Sequence, residues 1–153
     1  MTTVEASHFT FQERLVGKVR TEMRLVNSLD LFRVKDRRLD PSGVRALDLT
    51  EVLVDTGATT LCLPADLVDQ LGLEDAEEVP VETASGDLTV RRFSGVRIEI
   101  LGRSTVVDCL ELPVGRPPLL GVVPLELMGL QPDIRRHVLV PLPMEPGRSY
   151  LTI

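Results

Sequence analysis

The residues of this chain that could do chemistry are concentrated at Asp55-Thr56-Gly57-Ala58, directly after the apolar run Val52-Leu53-Val54. Such a run reads as a buried strand, so it would deliver a carboxylate to the turn at the strand's end. A carboxylate placed there can take a proton from water or hand one to a leaving group. Gly57 would let the backbone bend tightly and bring an N–H close to the carboxylate. Ala58 is small enough to let a substrate pass. The plain reading of these four residues is a strand-end turn, where Asp and Gly are common. What distinguishes this stretch is its company: an apolar lead-in, a strand and helix after it, a hairpin downstream, and a second apolar-apolar-glycine turn at Leu119-Leu120-Gly121.

The elements that must position these residues are short and mostly extended. From Lys18 to Asn27, Val19, Thr21, Met23 and Leu25 alternate with Arg20, Glu22 and Arg24, the pattern of a half-buried strand. Residues 28–43 are ambiguous. Ser28 could cap a helical turn through Phe32, and Asp40-Pro41-Ser42-Gly43 is a turn by composition. Strand character returns at Val44 and runs into Val54. Thr59 to Leu63 reads as a strand leaving the Asp55 turn, and Pro64 opens a short helix, Ala65 to Leu71, closed by Gly72. Residues 78–93 read as a hairpin with its tip at Ala84-Ser85-Gly86-Asp87. Val96, Ile98 and Ile100 alternate with Arg97 and Glu99, and Gly102-Arg103 turns the chain into a strand from Thr105 to Leu112. A Pro-rich loop, Pro113 to Pro118, leads to Leu119-Leu120-Gly121. Pro124 to Met128 reads as a second short helix stopped by Gly129, and His137 to Val140 as a last strand. Short strands with turn residues between them predict a mostly β fold with one or two short helices. A strand, a glycine turn, a Pro-started helix and a terminal glycine occur around Asp55 and again around Gly121, a weak internal symmetry.

Composition narrows the function classes. At 153 residues the chain has room for one domain with a proper core and is too short for two of ordinary size. The pattern divides it into an N-terminal tail or covering strand (1–17), the domain (18–143), and a C-terminal tail or dimer strand (144–153). A formal charge of −6 argues against a nucleic-acid partner. The basic cluster Arg33-Val34-Lys35-Asp36-Arg37-Arg38 is interrupted by acid and reads as a solvated loop. No apolar run approaches the roughly 20 residues that span a membrane, and no secretory signal is visible at the N-terminus. A cytoplasmic protein with reduced thiols is expected, with Cys62 and Cys109 as small core residues. His8 and His137 have no partner at metal-ligand spacing. Neither a metal nor another cofactor is expected.

The stretch Val54-Asp55-Thr56-Gly57-Ala58-Thr59-Thr60-Leu61-Cys62-Leu63-Pro64, with Leu119-Leu120-Gly121 downstream, resembles the retropepsin-like, single-domain aspartic proteases. The resemblance covers roughly Lys18 to Val140 and is closest to bacterial and archaeal members. It implies a retropepsin-like acid-protease barrel, with halves related by a pseudo-twofold, and hydrolysis of peptide bonds in a peptide or protein substrate. That chemistry uses two carboxylates sharing one proton, because like charges in contact cannot both be ionised cheaply. One Asp-Thr-Gly per chain therefore implies a homodimer in which Asp55 meets its counterpart across the symmetry axis. By the same resemblance the Thr56 hydroxyl would hydrogen-bond across that axis. The hairpin tip Ala84-Ser85-Gly86 would be a flap over the substrate, where an ordinary hairpin turn is the other reading. Viral members carry an Arg-Asp or Arg-Asn pair after the second glycine, where this chain has Val122-Val123, so its dimer would be held differently. Terminal strands often intertwine in the family, and Ser149 to Ile153 could do so. The alternative function is a non-catalytic dimerisation or peptide-binding module that keeps the fold.

Overall fold

The computed structural model of the protein describes residues 18–144 and residue 153. The expectations for residues 1–17, and for the C-terminal tail apart from Met144 and Ile153, lie outside the described residues.

The expected alternation near the N-terminus forms β1 (Arg20–Asn27), which pairs antiparallel with β2 (Ala46–Val54). Met23 and Leu25 within it, and Val19 just before it, are buried. Between them lie helix α1 (Ser28–Lys35) and a 3₁₀ turn at Pro41–Gly43. The helix is longer than the expected turn through Phe32, and its cap is Asn27 rather than Ser28. The Asn27 side chain accepts from the Asp30 N–H at 3.0 Å, satisfying one of the open donors of the first turn. Arg33 and Lys35, expected in a loop, sit in the last turn of this helix, where cations suit its dipole.

After the Asp55 turn come β3 (Leu61–Pro64) and α2 (Ala65–Leu71), whose bounds match the expected helix. Gly72 closes it in the left-handed conformation, φ +61. Next come β4 (Glu77–Thr83), β5 (Gly86–Ile100), β6 (Arg103–Leu112), β7 (Leu119–Leu120), α3 (Val122–Met128) and the hairpin β8 (Leu130–Asp133) with β9 (Val138–Pro141). Two readings are corrected here. The hairpin and the Val96–Ile100 segment are one continuous strand, β5, because a bulge absorbs the break in alternation: Phe93 pairs with Cys109 but Val96 with Val107, leaving one extra residue on β5. Gly95 takes φ +80 at that bulge. The second correction concerns β8, which was not expected at all. It carries Pro132 and has one fully buried residue, Leu130, so it lacks a strand's usual alternation.

The main sheet runs in the order β1-β2-β7-β3-β6-β5-β4, and β1 also pairs with β5. That extra pairing closes six strands into a barrel and leaves β4 outside it as the free arm of a hairpin. Leu25, Val52, Leu61, Leu63, Val96, Ile98 and Leu120 fill the interior, with Cys109 among them and Cys62 buried nearby. Both cysteines are free, and burial raises both thiols above their ordinary range, Cys62 to about 11. Among the described residues no helix is long and apolar enough to cross a membrane.

A polar cluster ties the two early helices to the barrel. Asp30, buried in α1, accepts from the Arg45 backbone N–H at 3.0 Å and from its guanidinium at 2.8 and 2.9 Å. Arg33 adds a bond at 3.1 Å and reaches on to Glu74 at 3.0 Å. Asn27 donates to the Leu71 carbonyl at 2.8 Å, so the start of α1 is fastened to the end of α2. A Cβ on Gly72 would fall within the Arg45 guanidinium, which lies across the end of α2.

The Arg45 hydrogen bonds outweigh the desolvation of Asp30 and hold its carboxyl down at about 2. The folded-state value lies below the unfolded one, so this contribution is full above about pH 4 and is lost as pH falls through about 2. It amounts to about 2 kcal/mol. Asp30→Ala should lower unfolding free energy by about 3 kcal/mol at neutral pH, since it also strands the Arg45 N–H. Urea denaturation of the two proteins across pH checks this: the gap between them should narrow below about pH 4.

Candidate active site

Asp55 leaves β2 at the point where the chain crosses β7. Its own N–H donates to the Leu120 carbonyl at 2.9 Å, while the preceding residues Leu53 and Val54 pair in parallel with Leu119 and Leu120. β7 also pairs antiparallel with β3. The two-residue segment Leu119-Leu120 is thus held between the strand that enters the Asp55 turn and the strand that leaves it. This fixes the root of the carboxylate through backbone bonds alone.

Gly121 makes the crossing possible. Its N–H donates to the Thr60 carbonyl at 3.0 Å, and the next two N–H groups, of Val122 and Val123, donate to Ala58 and Thr59 carbonyls, each at 2.9 Å. A Cβ on Gly121 would lie 2.6 Å from the Ala58 oxygen, the Thr60 nitrogen and the Thr60 oxygen. All three are backbone atoms that cannot swing aside. The first turn of α3 thereby spends its open donors on the Asp55 loop.

Within the loop, the Ala58 N–H closes a turn onto the Asp55 carbonyl at 3.0 Å, and the Gly57 N–H donates to Asp55 Oδ1 at 2.9 Å. Gly57 is not in the left-handed region, so no unusual bend calls for glycine here. Its role is close approach: a Cβ would come within 3.2 Å of Asp55 Oδ1. Among the described residues no hydrogen bond is made to Oδ2. Thr56 and Gly57 are exposed, Asp55 and Ala58 half-buried. The loop presents a carboxylate with one oxygen oriented by the Gly57 N–H and the other without a hydrogen bond among the described residues. Cys62 lies close enough for the Asp55 charge to add to the rise in its thiol, though burial is the main cause.

The flap residues named from sequence are found where the hairpin turns. Ala84-Ser85 form the turn and Gly86 takes φ +115, with open space around it. Thr83, not picked out from the sequence, staples this tip: its hydroxyl donates to the Gly86 carbonyl at 2.6 Å and accepts from the Ser85 N–H at 3.2 Å. Thr60 was also overlooked. Its hydroxyl donates to the Asp108 carbonyl at 2.9 Å and fastens the far end of the Asp55 loop to β6. A threonine directly before a buried strand carries no signal that separates such a tie from ordinary strand propensity.

A closed barrel with one Asp-Thr-Gly loop, crossed by a second apolar-glycine turn and overhung by a hairpin, defines a single-domain, retropepsin-like acid protease architecture. The aspartyl protease family model matches residues 44–124, just over half of the chain, and the chain belongs to that family. No curated protein matches it.

The close approach at Gly121 means that Gly121→Ala should cost about 3 kcal/mol or more, because backbone must move to admit the methyl. Chemical denaturation measures this. A loss below about 1 kcal/mol would mean that the crossing is slack.

Proposed function

We propose that the protein is an aspartic endopeptidase whose active form is a homodimer, with water activated between the two Asp55 carboxylates. The observation that carries this reading is the single carboxylate held by the crossing, with Oδ1 oriented by the Gly57 N–H and Oδ2 uncommitted. One carboxylate cannot act as base and acid in the same step; a second copy supplies the other. One ionised carboxylate takes a proton from water as its oxygen attacks the scissile carbonyl. The protonated partner donates to the carbonyl oxygen, and collapse of the tetrahedral species passes a proton to the departing amine.

The remaining residues fall into supporting roles. Thr56, exposed beside Asp55, is available to hydrogen-bond across the twofold axis. Ala58 leaves space for substrate. Ala84, Ser85 and Gly86 close over the bound peptide as a flap, with β5 as their stem. Leu119, Leu120 and Gly121 hold the aspartate loop. The N–H groups of Val122 and Val123 brace that loop within one chain, which lessens the need for the charged brace of viral members. A cytoplasmic setting is part of this reading and fits the two free, buried thiols.

Asp55→Asn should abolish peptide cleavage while leaving fold and assembly intact, since the amide keeps the shape and loses the proton exchange. Cleavage at the wild-type rate by that variant would remove Asp55 from the mechanism. Specific activity should also fall on dilution in step with dissociation followed by sedimentation. A fully active monomer would reject the shared pair. The rate should be bell-shaped in pH, failing when both carboxyls carry a proton and again when neither does. A rate that climbs steadily into alkaline pH would point to other chemistry.

A further inference from the structure

Where α1 lies beside the seam that closes the barrel, the surface forms an open groove of about 630 Å³. Its floor is the pairing of β1 with β5, where Val26 stands opposite Arg97 and Arg24 opposite Glu99. Val26 is buried yet lies outside the interior cluster, on the strand face opposite that of Leu25. One wall is α1, through Leu31, Val34 and Lys35, and the other is formed by Pro41 and Val44. Leu31, Val34 and Val44 are half-buried, so the groove offers recessed aliphatic surface. The chain that joins the two walls, residues 36–40, carries Arg37 and Arg38, both exposed. No residue of the Asp55 loop, of the crossing or of the β4–β5 hairpin tip lines the groove.

The acids around this groove are engaged within the chain. Glu99 sits between Arg97 at 3.3 Å and Arg24 at 3.7 Å, and Asp48 holds Arg24 at 2.9 Å. Asp40 accepts from the Ser42 N–H and hydroxyl at 2.9 and 2.7 Å. Lys35, Arg37 and Arg38, by contrast, make no ion pair among the described residues, and exposed Asp36 is the acid that stands between them. Arg37 carries a second sign of outside use. It takes φ +59 where α1 ends, with its N–H donating to the Val34 carbonyl at 3.0 Å. Helices α2 and α3 end on glycine in that conformation, Gly72 at φ +61 and Gly129 at φ +64. A Cβ is penalised there, and no bond of the Arg37 side chain among the described residues offsets the penalty. Arg33 and Lys35 already meet the helix end's preference for cations. A nucleic acid would gain nothing from the aliphatic floor, and the chain's charge of −6 opposes it. An anionic bilayer calls for apolar side chains that protrude, and these are recessed. We infer that the groove docks an acidic segment of a partner protein in which aliphatic side chains alternate with carboxylates. The aliphatic groups seat over Val26, and the carboxylates pair with Lys35, Arg37 and Arg38. The inference does not rest on the endopeptidase reading.

The test is fluorescence anisotropy of the full chain with three short labelled peptides, alternating Glu with Leu, Glu with Ser, and Lys with Leu. The Glu-Leu peptide should bind about tenfold more tightly than either of the others, and its binding should weaken as salt rises. Replacing Lys35, Arg37 and Arg38 together by Glu changes exposed side chains only, and folding is verified by thermal melting. That variant should lose about tenfold in affinity for the Glu-Leu peptide. Arg37→Gly gives a separate readout, because the two effects of the arginine run in opposite directions. It should melt no lower than the wild type, since glycine suits the left-handed position, and should bind about threefold more weakly. Binding that ignores the charge reversal, equal affinity for all three peptides, or no binding would overturn the docking site. An Arg37→Gly protein that melts lower and binds as before would assign the arginine to stability and overturn its role here. Duplex DNA or phosphatidylserine vesicles that bind while the Glu-Leu peptide does not would overturn the choice of partner.

Discussion

The structure depends on one steric condition: two backbone segments must touch at Gly121 with no side chain between them. The bonds that tie the Asp55 loop to the end of β7 and the start of α3 gather around that contact. Leu120 receives the Asp55 N–H, Thr60 receives the Gly121 N–H, and α3 begins by donating to Ala58 and Thr59. Because these are main-chain bonds, the loop is held whatever side chains occupy its surface. Removing side-chain freedom from the anchor makes the carboxylate's position stiff without burying it. The proposed role of Asp55 calls for that combination, since orientation accounts for much of a reacting group's effectiveness and water must still reach it.

A second level of order surrounds this core and is polar. Asp30, Arg45, Asn27 and Arg33 join the helices to the barrel edge, and Arg103 does the same at the other end. The Arg103 guanidinium donates to the Met128, Gly129 and Leu142 carbonyls, at 3.1, 2.5 and 2.5 Å. Three acceptors left over at the end of α3 and beyond β9 are satisfied by one planar donor set. The barrel interior itself is aliphatic. Direction and register at its ends come from hydrogen bonds, and cohesion comes from burial.

This division explains what could be read from the sequence. Where a local rule decides structure, the reading was close: the Pro64-to-Gly72 helix, the alternation from Val19 to Leu25, and the turn at Ala84-Ser85. The Asp55 loop and its crossing partner Leu119-Leu120-Gly121 were legible because glycine and the strand-ending aspartate are constrained by type. Features set by distant partners were not. Asn27 is a cap because a helix follows it and the end of α2 lies beside it, and nothing adjacent in sequence says so. β8 exists because β9 pairs with it and Arg103 ties together the residues flanking the two strands, despite Pro132 and a weak pattern. β5 was divided in two because its alternation changes phase, and only the pairing with β6 shows that the phase change is a bulge within one strand.

That phase change carries a consequence of its own. Phe93 and Val96 are an odd number of positions apart and yet both are buried, so the extra residue at the bulge decouples the facing of the hairpin from that of the barrel. Loss of one residue there would restore simple alternation through β5. The barrel half, pinned by β1 and β6, would keep its inward set, and the hairpin would be turned over. Its Val79 and Val81 side would then face away from Thr59, and the charged reverse side would face towards it. Length variation between relatives should therefore be tolerated at the hairpin tip, where a turn can grow without changing parity at its base, and excluded from the three-residue step between Phe93 and Val96.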